Sequence, residues 1–253
     1  MDLRELAREP FCRHPWEVAR LRFFAAIVRS YAMARGAPRV LDVGAGDGWF
    51  ARQLAAHIGA EIVCWDTGYD DETCAALRAV SDARVTYRSD RPAHEPFDAV
   101  LLLDVLEHVA DDAVLLQTLV AENLAPGGAV LLSVPAWPPL YGPHDAALKH
   151  HRRYWPGELA RLASRCGLRV EIAGGLFHAL LVPRVLERLR ERWIEPPANG
   201  AVAPAELRWN HATWLRRLVD GVLRVDNGLS RLAAVAGVRL PGLSAWALCR
   251  RSS

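Results

Sequence analysis

The sequence predicts an α/β protein built on an open parallel sheet, with an Arg-rich helical segment following it. Three observations carry this. Residues 97–103 are apolar at every position after Asp98, and residues 129–134 form a second run, apolar except at Ser133. Strands covered on both faces read this way, whereas half-exposed strands alternate. Short runs of this kind also alternate with helix-period segments, the pattern of βαβ units. Finally, Gly44-Ala45-Gly46-Asp47-Gly48 sits where a first strand turns into a helix.

Residues 16–35 have apolar side chains near helical spacing, from Trp16 to Tyr31, and Gly36 and Pro38 end the helix. Residues 39–43 are a buried strand, 49–58 a helix, 61–65 a second strand with Asp66 at its end, 70–80 a helix and 84–88 a third strand. After the fourth strand, Asp111 and Asp112 can cap a helix running to Leu124, which Pro126-Gly127-Gly128 stops. Residues 129–134 are the fifth strand, 157–166 a helix and 168–173 a further strand. Residues 176–194 and 207–235 then read as Arg-studded amphipathic helices, joined through Pro196, Pro197, Asn199 and Gly200, and residues 241–251 as a final strand.

Composition narrows the class. In 253 residues, 51% are hydrophobic and 24% charged, as in ordinary globular chains. The five cysteines, Cys12, Cys64, Cys74, Cys166 and Cys249, are odd in number and lack zinc-ligand spacing. They read as reduced thiols of a cytoplasmic protein, and no metal is expected. Residues 1–30 carry no signal-peptide pattern, and no segment suits a membrane span. The net charge of +2 hides an acidic middle between basic ends: residues 40–175 hold 11 basic and 19 acidic groups, residues 176–253 hold 12 and 6. That distribution argues against a nucleic-acid groove through the central domain.

The glycine turn points to a nucleotide-like ligand. Glycines there allow tight turning and close backbone approach. A dinucleotide fingerprint would want a third glycine at position 49, which is Trp, and Asp42 and Asp47 place negative charge where a pyrophosphate would sit. A positively charged nucleoside fits better, with Asp66 placed to accept both ribose hydroxyls.

The segments VLDVGAGDGWFARQL at 40–54, WDTG at 65–68, FDAVLLLDVLEHV at 97–109 and LAPGGAVLLSVP at 124–135 resemble the class I S-adenosylmethionine-dependent methyltransferases, specifically their ubiquinone-biosynthesis-like branch. The resemblance covers roughly residues 12–175 and the last strand. It implies a Rossmann-like, mostly parallel sheet with helices on both faces, an antiparallel last strand and a helical insertion before it. It further implies a lid at 1–39, a cofactor-binding core at 40–175, an inserted cap at 176–239 and a core strand at 240–253. S-adenosylmethionine would lie against Asp42, Gly44, Ala45 and Gly46, with Asp66 and Thr67 at the ribose, Asp90 at the adenine amine and Asp104 against the cofactor. Glu107 and His108 follow Asp104, and His108 reads as a packing or capping residue.

The loop after the fifth strand holds the densest polar cluster, Tyr141-Gly142-Pro143-His144-Asp145 and His150-His151-Arg152-Arg153-Tyr154. Ligands of open α/β sheets bind at the carboxyl ends of strands, and this loop leaves one. His144 is the expected base, with Asp145 as its partner. Tyr141, His151, Arg152, Arg153 and Tyr154 are expected at the acceptor, together with His14 and Trp16 from the first helix. The alternative for the loop is that its own hydrogen bonds tie it down, with Asp145 pairing Arg152 or Arg153. For His14 and Trp16 the alternative is an exposed turn residue and a core residue. The expected reaction is methyl transfer to an oxygen of a small apolar or aromatic acceptor. A lipid- or glycan-linked acceptor at a membrane surface and a non-catalytic cofactor-binding role stay open, as do a cap, dimer or peripheral membrane role for residues 176–235.

Overall fold

The computed structural model describes residues 13–32, 37–193 and 212–251. Cys12, Gly36, the segment 194–211 with its expected linker, and the side chains of Tyr31, Arg192 and Trp193 lie outside that description.

The chain runs α1 (Pro15–Ala32), β1 (Arg39–Val43), α2 (Trp49–Ile58), β2 (Glu61–Trp65), α3 (Asp71–Ala79), β3 (Val85–Arg88), β4 (Phe97–Leu103), α4 (Asp112–Glu122), β5 (Leu124–Pro135), α5 (Pro143–Ala147), α6 (Glu158–Arg165), β6 (Leu168–Leu176), α7 (His178–Trp193), α8 (Thr213–Val235) and β7 (Ser244–Arg251). The seven strands lie in the order β3-β2-β1-β4-β5-β7-β6. Strands β1 to β5 pair in parallel, and β7 is antiparallel to both its neighbours, as the family resemblance implied.

The nearly unbroken apolar strands have a direct cause. On β4, Ala99, Leu101 and Leu103 face one packed layer, and Val100 and Leu102 face the other. The first layer holds Phe23, Phe24 and Ile27 of α1, Leu54 of α2, Leu77 of α3 and Leu223 of α8. The second holds Leu116 and Leu119 of α4 and Leu159 and Leu162 of α6. Both faces are therefore dry, and polar alternation would strand charges in the core.

Three boundaries differ from the sequence reading. Strand β5 begins at Leu124, which pairs with Phe97 before residues 125–128 leave the ladder and pairing resumes at Ala129. The Pro-Gly-Gly run makes this irregularity, because Pro126 has no N–H to donate. Strand β6 reaches Leu176, so Leu176 and Phe177 belong to the strand and its exit rather than to a helical stripe. The apolar-rimmed loop after β5 also contains a short helix, α5, that sequence periodicity did not show.

Candidate active site at the carboxyl ends of the strands

The carboxyl ends of β1, β2 and β4 open into a cleft of about 1230 Å³. Its first half is built around the glycine turn. Gly44, Gly46 and Gly48 all have left-handed backbone, with φ of 67°, 56° and 66°. A Cβ on Gly44 would stand 2.7 Å from Val105 Cγ2, and one on Gly48 would stand 2.5 Å from the Tyr87 ring. Both the backbone angle and the close neighbours therefore demand glycine. The Gly46 N–H donates to Asp66 Oδ2 at 3.0 Å, and the Gly68 N–H donates to Asp66 Oδ1 at 2.9 Å. The Asp66 carboxylate is thus fixed at the cleft wall, and each oxygen keeps a lone pair for a hydroxyl. Tyr69 locks the turn from below by donating to the Gly46 carbonyl at 2.7 Å.

Gly44, Asp66, Thr67 and Asp104 line this half, and Ala45 is buried beside them. Asp42 lies beneath, nearly fully buried, and burial pushes its carboxyl up to about 7. Asp90 is placed outside the cleft lining, on the surface and 3.2 Å from Arg88. Asp104 has a left-handed φ of 60°, a strained position for a residue with a side chain. Three contacts hold it: Ser133 Oγ donates to Oδ1 at 3.0 Å, the Asp104 N–H donates to the Ser133 carbonyl at 2.9 Å, and Arg20 Nη1 lies 2.7 Å from Oδ2. Helix α1 covers the cleft with charged groups: Glu17 pairs with Arg13, which precedes the helix and also pairs with Asp47, and Arg20 pairs with Asp104. His14 and Trp16 also line the cleft, and the Trp16 ring packs edge-on against Phe177 while touching the core.

The second half belongs to the loop after β5. Here the expected pairing of His144 with Asp145 is corrected. Asp145 is fully buried and accepts from His150 Nδ1 at 2.9 Å, Arg153 Nε at 2.8 Å and the Gly142 N–H at 2.9 Å. These bonds hold its carboxyl far below the usual carboxylate range despite the burial that opposes them. The histidine it orients is therefore His150, five residues on, because α5 turns the Asp145 side chain back under the loop. His144 lines the cleft half-buried, and burial lowers its pKa. Arg153 lines the cleft as well.

Tyr141, His151, Arg152 and Tyr154 face other work. Tyr141 Oη donates to the His150 carbonyl at 2.8 Å, and the His151 N–H donates to the Glu107 carbonyl at 2.7 Å. Arg152 Nη2 donates to the Ala110 carbonyl at 2.6 Å, and Tyr154 Oη to Asp112 Oδ2 at 2.8 Å. None of the four lines the cleft. Tyr141 ties the loop to itself and the other three anchor it to the segment after β4, while Asp145 pairs with Arg153 as the loop-tying alternative had it.

Residues 14–171 match a family model described as a methyltransferase domain. A ubiquinone biosynthesis O-methyltransferase of Xanthomonas axonopodis pv. citri (strain 306) is 31% identical over 171 residues, covering 58% of this chain and 71% of that one. A second, from Xanthomonas campestris pv. campestris (strain B100), is 35% identical over 127 residues. That match covers 47% of this chain, and this chain spans about half the length (50%) of that relative. The fold is shared with a putative sarcosine dimethylglycine methyltransferase from Galdieria sulphuraria, at 17% identity and TM-score 0.56, over 93% of this chain and 86% of that one. A SAM-dependent methyltransferase from Archaeoglobus fulgidus gives 13% identity and TM-score 0.52, over 91% and 94%.

The chain belongs to the class I S-adenosylmethionine-dependent methyltransferases.

The residues of this methyltransferase suit that cofactor. Asp66 offers acceptors for ribose hydroxyls, and Glu17 and Asp104 place carboxylates in the middle of the cleft, each ion-paired with an arginine. Glu17 Oε2 is buried there without a hydrogen-bond partner among the described residues, an open acceptor for an ammonium group.

Several cleft residues escaped the sequence reading. Glu17 and Arg20, three residues apart on one face of α1, are two of them. Glu107 is fully buried, lines the cleft, and has no hydrogen-bond partner among the described residues for either carboxylate oxygen. Burial, reinforced by neighbouring Asp104, pushes its carboxyl well above the usual range. The His108 and His150 rings meet edge-to-face with centroids 4.6 Å apart. Glu107, His108 and His150 bring one donor atom each within 4.8 Å of one another, a set able to hold a metal ion that the expectation of no metal did not foresee. Glu107 and His108 are neighbours, but His150 lies 42 positions beyond His108, so no short spacing announced the set.

Proposed function

We propose that this methyltransferase moves the methyl group of S-adenosylmethionine to an oxygen of a small acceptor lying between Asp104 and His150. The observation that carries the reading is the His150 ring on the cleft wall, its Nδ1 held by the buried Asp145 at 2.9 Å. A histidine fixed in this way presents Nε2 as a proton acceptor, the arrangement used to deprotonate hydroxyl nucleophiles. The printed names of the relatives, O-methyltransferases, support oxygen as the acceptor atom.

Bound S-adenosylmethionine supplies a methyl carbon on a cationic sulfur whose departure as a neutral thioether needs no acid. The protein's task is then alignment and proton removal. Asp66 and the glycine turn fix the donor. His150 Nε2 takes the hydroxyl proton as the acceptor oxygen bonds to the methyl carbon. Asp145 keeps His150 in the required tautomer and orientation. His144 lines the same half of the cleft and is available to orient the acceptor. The walls are mixed: Trp16, Leu148 and Leu180 are apolar, whereas Arg184, Glu187 and Glu191 of α7 are charged. An acceptor with an apolar body and a polar end fits both.

The test uses purified protein, labelled methyl donor and a panel of phenols, carboxylic acids and thiols. Label is expected on phenolic oxygen. His150→Ala should lower kcat by about 10² to 10⁴-fold while leaving S-adenosylhomocysteine affinity within about twofold. Transfer only to thiols overturns oxygen as the acceptor atom, and transfer only to carboxylates, or full turnover by His150→Ala, overturns His150 as the base.

A further inference from the structure

Helix α7 is oriented against the usual rule. Its polar face, with Arg184, Glu187 and Glu191, lines the cleft, and Val182, Leu186 and Leu189 on the opposite side point outward. None of residues 178–191 is buried. Helix α8 repeats the arrangement. Leu223, Asp226, Asn227, Ser230 and Ala234 are buried on one face. A second apolar row, Leu218, Val222, Val225, Leu229 and Leu232, is spaced alternately by four and three residues and faces away from the protein. Val225 is 75% exposed and Leu232 is 73% exposed. Trp214 extends the row toward the helix start at 68% exposure. Soluble surfaces rarely leave an apolar row of this length uncovered.

Charge identifies what covers it. Arg217, Arg224 and Arg231 recur every seven residues along one flank of the α8 row, and Arg239 follows the helix. All four are exposed, and none makes an ion pair with a described residue. The carboxylates of these helices are engaged elsewhere. Asp220 lies 3.6 Å from Arg22, Asp226 accepts from the first N–H groups of α7, and Glu187 and Glu191 pair with Arg184 on the cleft side. A second copy meeting this face would set arginine rows against one another without a carboxylate to separate them. A surface that is apolar beneath and anionic at its boundary satisfies both rows at once.

We infer that the outward face of α7 and α8 docks on an anionic lipid bilayer, with the α8 row entering the headgroup boundary. No helix among the described residues is long and apolar enough to cross a membrane, so the contact is peripheral. Because α7 lines the cleft with its other face, docking brings the cleft alongside the bilayer, where an acceptor with a lipid tail can enter it.

Co-sedimentation of the full chain with vesicles is the test. The protein should pellet with an equal mixture of phosphatidylcholine and phosphatidylglycerol, far less with phosphatidylcholine alone, and less at high salt. The double variant Val225→Asp, Leu229→Asp changes only exposed side chains and should bind at least about tenfold more weakly. Arg217→Glu, Arg224→Glu, Arg231→Glu should remove the preference for the anionic vesicles. Unchanged S-adenosylhomocysteine affinity, read by calorimetry, shows that each variant is folded. The proposal is overturned if the wild type pellets with neither vesicle, if the double variant pellets as well as the wild type, or if the wild type is a dimer without vesicles that the double variant makes monomeric. Vesicle binding is read without turnover, so its failure leaves the methyl-transfer reading standing.

Discussion

Burial keeps the Asp42 carboxyl protonated up to about pH 7, although its ordinary value is 3.8. Across that window the folded chain holds a proton that the unfolded chain has released. Stability from this group therefore falls as pH rises from about 4 to about 7 and stays at the lower level above it. Glu107, raised by burial, acts with the same sign. Asp145 acts with the opposite sign: its depressed carboxyl stabilises the fold above the ordinary carboxylate range and loses that contribution as pH falls. Asp42→Asn should remove part of the loss on the neutral side. Urea unfolding at about pH 5 and about pH 8 is expected to show a smaller difference in the variant than in the wild type. At this scale the sequence was partly legible. Residue types at strand ends disclosed Asp66 and Asp104 as cleft residues, because strand order brings those positions to the carboxyl end of the sheet. The partner of Asp145 was not legible, because one turn of helix decides whether a side chain meets a residue one or five places away.

Helix α7 depends on a cap from another element. Asp226 of α8 accepts from the His178 N–H at 3.2 Å and the Ala179 N–H at 3.0 Å. His178 itself donates from Nδ1 to the Pro241 carbonyl at 2.6 Å, and its Nε2 accepts from Ser230 Oγ at 2.7 Å. With no buried residue between 178 and 191, α7 has little else to hold it. Asp226→Ala should cost about 1–2 kcal/mol at this junction. Hydrogen exchange should show faster opening of α7 than in the wild type, with the strand amides unchanged. Periodicity predicted an apolar stripe on each of these helices. It could not say which stripe faces the protein, because a helix with two apolar rows satisfies the same spacing in either orientation.

Across the molecule, the β3-β2-β1-β4-β5-β7-β6 order gathers the glycine turn, Asp66 and Asp104 at the carboxyl ends of three neighbouring strands, beneath α1. Helix α8 in turn holds α1: Asn227 Nδ2 donates to the Ala19 carbonyl at 2.7 Å. Ligand bound in the cleft is therefore linked to the packing of both helices. S-adenosylhomocysteine at a hundredfold over its Kd should stabilise the wild type by about 2.7 kcal/mol. Arg20→Ala removes the 2.7 Å ion pair that helps hold the strained Asp104 at the cleft wall, so bound ligand would have to order that residue itself. In thermal unfolding at one fixed ligand concentration, its gain in Tm is expected to be smaller than that of the wild type.

The sequence by itself determined the parallel sheet and, at the glycine turn and Asp66, a nucleoside-like cleft, because apolar periodicity and a glycine turn are local properties, and the resemblance of its motifs gave the cofactor class. Tertiary structure alone decided that Asp145 serves His150, that Glu107, His108 and His150 converge, and that α7 turns its charges inward and its leucines outward. Each of these depends on distance and direction between segments far apart in the chain. Linear spacing does not encode such relations until the strands have paired and the helices have been laid against them.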